Sequence, residues 1–311
     1  MIVVVDSGTT RTRVRLWDGG KVVSSQSQQA GARDTASDGH PGRVKTALKE
    51  MLAGVKGLGA VLCSGMITSN VGLKEVPHLL APCSPEKIAR GIVRQEFPEI
   101  AEAPFYFIPG IKTVPEGLSL ENLEGADVMR GEEAETVGLR ELLGLTGPVL
   151  LMHYGSHHKA IRVDGDGAIL GSKTSITGEL LQAVMSGTVL RSSVVGLEDI
   201  KPSQEYWRAG LEAAQQHGLG RASFLVRIGE QLAGLPKPEM TSYLLGALAS
   251  LDLPMLERGE NIILYGSGHF PPLMKAYLDE RGIPATLVSP EVSENAAVIG
   301  ALRLFERYQG A

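Results

Sequence analysis

The chain has little cysteine: Cys63 and Cys83 are the only two among 311 residues. Their spacing matches no disulfide framework, so both are expected to be reduced and structural, which favours a cytoplasmic protein. No apolar run reaches the length needed to cross a bilayer. No basic segment followed by an apolar one opens the chain, so no signal peptide is expected. Positive charge is not in excess either. The formal net charge is −5, which argues against nucleic acid or an anionic membrane as a partner. Low-complexity tracts and short solenoid repeats are also missing. What remains is an ordinary globular composition, 43% hydrophobic and 21% charged, long enough for two domains.

Glycine is plentiful, at 38 residues, and it recurs where apolar runs end. The first ten residues are the clearest case. Ile2 to Val5 fits a buried strand, Asp6 ends it, and Gly8, Thr9 and Thr10 form a turn before strand-like alternation resumes at Arg11 to Trp17. A glycine lets the backbone approach a ligand. N–H groups clustered in such a turn make an anion-binding concavity. Asp6 is placed to orient a hydrated Mg²⁺, which takes few carboxylates. An ordinary Asp-Ser-Gly turn would account for the same residues.

The pattern then predicts a third strand at 21–28, a polar link at 31–42 and a helix at 43–52. A strand at 57–64, a helix at 84–97, a strand at 105–108 and a single helix over 127–143 follow. Near residue 146 the plan restarts. A strand at 149–153 leads to the turn Gly155-Ser156-His157-His158, then come strands at 159–163 and 168–172. Helices are expected at 177–195, 203–217, 222–234 and 238–250. A strand at 261–265 ends in Gly266-Ser267-Gly268, and a helix at 271–281, a strand at 285–288 and a helix at 294–308 close the chain. Two related halves are the economical reading: domains at 1–146 and 147–311, with the last helix free to return to the first half. Ligands in α/β sheets gather at strand ends, so the hairpins at Gly8 and Gly155 are read as phosphate-binding. The turn at Gly65 is read as lining a pocket.

Several side chains could carry chemistry. Glu132 and Glu133 follow Arg130-Gly131 at the start of a helix. There they either complement the macrodipole or provide a general base for a hydroxyl proton. Consecutive helical residues point roughly 100° apart, so one of the two is expected to face the site. Thr177-Gly178-Glu179 opens a helix as an ordinary cap and first-turn charge. Arg11, Arg13 and Arg15 share one strand face, either solvated or gripping an anionic substrate group. His153, His157 and His158 lack the helical spacing of a zinc enzyme, so no transition-metal site is expected. The small residues from Ala296 to Ala301 suit close helix packing.

With these residues in view, the chain resembles the sugar-kinase, Hsp70 and actin superfamily. Asp6 to Thr10 looks like its first phosphate motif, Tyr154 to His157 the second, Tyr265 to Gly268 the adenosine motif, and the helix near Ala296 to Gly300 a connector. It is most similar to the 2-dehydro-3-deoxygalactonokinase family. Met129-Arg-Gly-Glu-Glu133, the stretch Gly65-Met66…Ser69-Asn70-Val71-Gly72…Lys74-Glu75, and Thr177-Gly-Glu-Leu180 carry that likeness. It departs from the family pattern at Gly155-Ser-His-His-Lys159-Ala160, where Gly-Thr-His-x-Lys-Trp is usual, and at Leu73, where a tryptophan is common.

The resemblance implies an α/β fold of two ribonuclease H-like, actin-like ATPase domains with mixed central sheets and an interdomain cleft. It implies a kinase using ATP and Mg²⁺ to phosphorylate the terminal hydroxyl of 2-dehydro-3-deoxy-D-galactonate. Asp6 would orient the metal. Gly8, Thr9, Thr10, Gly155, Ser156, Gly266, Ser267 and Gly268 would hold the nucleotide. Glu132, or else Glu133, would be the base. Arg13 or Arg130 would meet the acceptor carboxylate, with Ser69, Asn70 and Glu179 also at the acceptor. The partner would be a small sugar acid, and the sequence is compatible with a homo-oligomer. A kinase for another sugar or sugar acid, or a non-catalytic nucleotide-binding regulator on the same fold, are the alternatives.

Overall fold

Val3, Val4 and Val5 are buried on both faces of the opening strand, as expected of a strand covered on both sides. The computed structural model describes residues 1–256 and 261–310. Its first elements are β1 (Ile2–Ser7), β2 (Thr12–Asp18), β3 (Lys21–Gln28), α1 (Ala32–Asp38), α2 (Gly42–Leu52), β4 (Ala60–Gly65), β5 (Leu79–Leu80), α3 (Pro85–Arg90), β6 (Val93–Gln95), β7 (Phe105–Phe107), β8 (Ile111–Thr113), β9 (Asp127–Met129) and α4 (Glu132–Leu143). The rest are β10 (Val149–Tyr154), β11 (His158–Val163), β12 (Ile169–Ser175), α5 (Thr177–Gly187), α6 (Gln204–His217), α7 (Leu219–Ala233), α8 (Lys237–Ala249), β13 (Ile262–Gly266), α9 (Phe270–Glu280), β14 (Ala285–Leu287) and α10 (Pro290–Gln309). Among the described residues no single helix is long and apolar enough to cross a membrane.

The chain divides into two compact units. The first takes Met1–Pro148, Val163–Ser172 and the residues from Glu291 on; the second takes Val149–Arg162 and Lys173–Pro290. In the first, six strands run in the order β3-β2-β1-β4-β7-β6, beside a small sheet β5-β8-β9. β1 pairs antiparallel with β2 and parallel with β4. Val3, Val5, Val61, Cys63, Phe105 and Phe107 pack on Val44, Leu48 and Met51 of α2. The second large sheet has the order β12-β11-β10-β13-β14, with β13 parallel to β10 and β14. Leu150, Met152 and Leu264 pack there on Trp207, Leu211, Leu244 and Leu248. Both sheets follow one plan: three consecutive strands side by side, then two parallel strands beyond the first of them, with an antiparallel β6 closing the first sheet's edge.

Helices cross closely in each unit. A Cβ built on Gly138 of α4 would lie 1.9 Å from the Ala296 carbonyl oxygen of α10, and one on Gly300 would lie 1.7 Å from that of Ala134. The small-residue face near Ala296 is thus a helix contact.

Four elements differ from the sequence-based expectation. The helix expected over 84–97 ends at Arg90, because Val93–Gln95 pairs antiparallel with β7. The helix expected over 127–143 is split, because Asp127–Met129 pairs with β8 and Gly131 turns the chain before α4. The polar link at 31–42 contains α1, whose Asp34 side chain accepts the Gly31 N–H at 2.9 Å. The helix from 177 ends at Gly187. Thr188 is extended there, and its hydroxyl accepts the Leu190 N–H at 3.1 Å, starting a short 3₁₀ turn.

Candidate active site

In the first unit, the ends of β1 and β4 lie side by side, with Asp6 opposite Ser64 and Ser7 opposite Gly65. The hairpin after β1 closes through the Gly8 N–H, which donates to the Arg11 carbonyl at 2.9 Å. Its base is tied by the Thr12 hydroxyl, which donates to the Ala30 carbonyl at 2.6 Å. The first turn of α1 then docks on the tip. Ala32 N–H donates to Gly8 O at 3.2 Å and Arg33 N–H to Thr9 O at 2.8 Å. A Cβ on Gly31 would sit 2.6 Å from Thr9 O, so only glycine permits this approach. The Gly8 and Thr9 carbonyls are thereby occupied. The N–H groups of Thr9 and Thr10 make no hydrogen bond among the described residues, which is what an anion-binding turn requires.

Gly131 brings the start of α4 to the same place. Its φ of +117° suits glycine alone, and a Cβ there would lie 3.2 Å from Gly65 Cα. The two following carboxylates diverge. Glu133 is fully buried, and both its oxygens accept the Gly131 N–H, at 3.0 and 2.8 Å. Burial, and then the neighbouring Glu132, push Glu133 up to about 8. Glu132 remains partly exposed, and its Oε2 accepts the Arg130 N–H at 3.1 Å. Burial, then Glu135, push Asp6 up to about 6; Arg13 and Arg15 oppose this and Glu132 adds to it. A third of the Asp6 side chain is open to solvent, which screens these charges.

Arg13, about half exposed, lies 3.6 Å from the Asp6 carboxylate. Arg130 is engaged elsewhere. Its Nη1 donates to the Thr68 carbonyl at 2.6 Å and to the Thr68 hydroxyl, and its Nη2 to Val76 O at 3.0 Å. Nη2 also lies 3.1 Å from His78 Nδ1. Burial, then Arg130 and Lys112, push His78 down to about 4, so a neutral ring accepts from Arg130. Ser69 is buried, and its hydroxyl donates to Met66 O at 2.7 Å, whereas Asn70 is exposed.

In the second unit the structure brings the other expected residues together. The hairpin Gly155-Ser156-His157 joins β10 to β11, and Tyr154 lies opposite Gly266. The Ser267 N–H donates to Tyr154 O at 3.1 Å, so the Gly266-Ser267-Gly268 turn adjoins the hairpin. The first turn of α5 docks on the tip, as α1 does in the first unit. Glu179 N–H donates to Ser156 O at 2.9 Å. A Cβ on Gly178 would lie 2.3 Å from Gly155 O. The Glu179 carboxylate stands 3.6 Å from His157 Nε2.

The profile of the 2-keto-3-deoxy-galactonokinase family matches residues 6–304. The chain belongs to that family. It is therefore a kinase, a phosphotransferase with an alcohol acceptor, of carbohydrate catabolism. It is 26% identical over 311 residues to a Rhizobium meliloti protein named "Probable 2-dehydro-3-deoxygalactonokinase DgoK1", covering 96% of this chain and 95% of that one. It is 27% identical over 261 residues to the Escherichia coli 2-dehydro-3-deoxygalactonokinase, covering 81% and 78%. A crystal structure described as that of "a putative 2-dehydro-3-deoxygalactonokinase protein from Sinorhizobium meliloti" superposes with a TM-score of 0.80 at 23% identity, covering 97% of this chain and 96% of that one. The galactonokinase fold is thus the α/β fold with mixed sheets of the actin-like ATPases and sugar kinases. One neighbour of Asp6 escaped the sequence reading: Glu135 shares its charged surroundings, and the i, i+3 spacing from Glu132 was the available signal.

Proposed function

We propose that this kinase moves the γ-phosphoryl group of ATP to the C6 hydroxyl of 2-dehydro-3-deoxy-D-galactonate, with Glu132 as general base. The contrast at the start of α4 carries the reading. Glu133 is sealed from solvent and spends both oxygens on Gly131. Glu132 stays partly open and contributes to the field at Asp6. A general base has to come within hydrogen-bond reach of the acceptor hydroxyl, and only Glu132 is accessible to do so.

Phosphoryl transfer asks a protein mainly for positioning and charge stabilisation. In this reading the second unit binds nucleotide at the Ser156 hairpin and the Gly266-Ser267-Gly268 turn, and the first unit offers the Thr9 and Thr10 amides as an anion-binding turn. The acidic surroundings of Asp6 fit a hydrated Mg²⁺, which is held by one or two carboxylates and keeps several waters. Asp6 would hold it, with Glu132 and Glu135 adding negative field; when bound, the ion neutralises phosphate charge. Arg13 suits the acceptor carboxylate, since its half-exposed guanidinium is held among the described residues by a 3.6 Å contact with Asp6. Arg130 is read as a brace for the loop over residues 66–78.

The test is ADP release with a panel of 2-keto-3-deoxy acids and other sugars. Glu132→Gln lowers kcat by about 10²- to 10⁴-fold while the KM for ATP changes little. Wild-type turnover in that variant overturns the assignment of the base. A stronger response to another acceptor, or none to any, overturns the substrate.

A further inference from the structure

The hairpin at Ser156 rests on a buried polar junction formed far from it in sequence. His158, the first residue of β11, is 1% exposed and places Nδ1 2.7 Å from Oδ2 of Asp252, which is 0% exposed. The second carboxylate oxygen, Oδ1, accepts the hydroxyl of Thr177 at 2.8 Å. Thr177, the first residue of α5, is also fully buried and lies 2.6 Å from the Ser175 hydroxyl. Asp252 follows α8, and its own backbone is fixed: its N–H donates to Ala249 O at 3.0 Å and its carbonyl accepts the Met255 N–H at 3.0 Å. The His158 ring stands edge-on to Tyr154, at 4.8 Å, and to Phe270, at 4.6 Å. Phe270 opens α9, two residues beyond the Gly266-Ser267-Gly268 turn.

One carboxylate therefore touches two of the segments that frame the hairpin and reaches the third through a ring. His158 is the base of the hairpin, Thr177 the start of the helix docked on its tip, and Phe270 the end of the neighbouring glycine turn. Apolar packing could fill this volume at no desolvation cost. A buried carboxylate is tolerated only where its partners compensate the loss of water. Here both oxygens have partners, and each bond has a direction, so the three segments are fixed in orientation as well as in distance.

We infer that Asp252 is a positioning residue for nucleotide binding: through His158 and Thr177 it sets the hairpin at Ser156 and the first turn of α5 in the register that receives phosphate. This rests on the reading that the hairpin holds nucleotide phosphates.

The variants Thr177→Val, Thr177→Ser, Asp252→Asn and Gly178→Ala separate the two ideas. Nucleotide affinity is read by equilibrium binding of Mg²⁺ with a non-hydrolysable ATP analogue. The KM for ATP, the KM for the acceptor, and Tm are read alongside. Thr177→Val, which removes one hydroxyl at nearly constant shape, weakens nucleotide binding roughly 10-fold and raises the KM for ATP in step, leaving the acceptor KM within about twofold. Thr177→Ser restores wild-type values, which a purely structural role for the methyl group would not predict. Asp252→Asn behaves like Thr177→Val; the threonine pair decides the matter even if this variant does not fold. Gly178→Ala forces a Cβ against the hairpin carbonyls and weakens nucleotide binding directly. If Gly178→Ala weakens binding while Thr177→Val lowers only Tm, the hairpin reading survives and the role of Asp252 is overturned. If Gly178→Ala folds and binds nucleotide like wild type, the hairpin reading falls and the inference with it.

Discussion

Glu133 keeps its proton through neutral pH because water does not reach it and Glu132 stands beside it. In the unfolded chain the same carboxyl titrates near 4.5, against about 8 in the folded protein. The folded state holds a proton there that the unfolded state has released. The contribution is therefore complete below pH 4.5, declines as pH rises, and is gone once pH passes 8. Asp6 acts in the same sense but only up to about 6, so the interval above 6.5 isolates Glu133. Over that interval the wild type loses stability with a slope of at most about 1.4 kcal/mol per pH unit from this group. Urea unfolding of Glu133→Gln at pH 6.5, 7.2 and 8 lacks that component; an unchanged slope would show that Glu133 is already ionised. The two arginines divide in the same way. Arg130→Ala leaves Val76 O without its guanidinium donor and Thr68 O with the Val76 N–H alone, and lowers Tm, at a cost of about 1–3 kcal/mol. Arg13→Ala leaves Tm nearly unchanged and raises the acceptor KM. At this scale the placement of Asp6 near a strand end and of the Glu132–Glu133 pair at a helix start was legible in the sequence, because strand ends and helix starts are local patterns. It did not reveal that Arg130 is occupied, since its partners lie 52 to 62 residues away.

The decisive element is α4, and its placement depends on glycine at both ends of its packing. Gly131→Ala imposes a φ of +117° on an L residue and a Cβ 3.2 Å from Gly65 Cα. The expected cost is about 1–3 kcal/mol, together with a fall in kcat as Glu132 moves. Gly300→Ala pushes a Cβ into the Ala134 carbonyl at the α4–α10 crossing and costs about 1–3 kcal/mol or more. Gly220→Ala in α7 is the control. Nothing lies within 4 Å of the added carbon, and helix propensity gives a gain of about 0.5–1 kcal/mol. Denaturant midpoints of the three variants check the order. Among the elements, β1 and β10 were legible as unbroken apolar runs that end in turn residues, β2 as strand-like alternation, and the helices from α6 to α9 as long segments bounded by glycine or proline. β6 and β9 were misread as helix. Three-residue strands have no period to detect, and what makes them strands is the pairing with β7 and β8.

For the molecule as a whole, ligand linkage offers a test that needs no turnover. A non-hydrolysable ATP analogue with Mg²⁺ at 100 times its Kd stabilises the folded state by about 2.7 kcal/mol. That appears as a rise in Tm of several degrees; no rise removes the support for nucleotide binding. The sequence determined the repeated plan of strand, glycine turn and strand, and the residue types of a phosphotransferase. All of these are written in composition or in neighbours a few positions apart. Tertiary structure decided which of two adjacent glutamates is sealed and which stays accessible. It also decided which arginine is spent on a loop, and that Asp252 meets His158 across 94 residues. Burial and directional hydrogen bonds set those outcomes. Both depend on what the folded chain places alongside a residue, and its sequence neighbours carry no record of that.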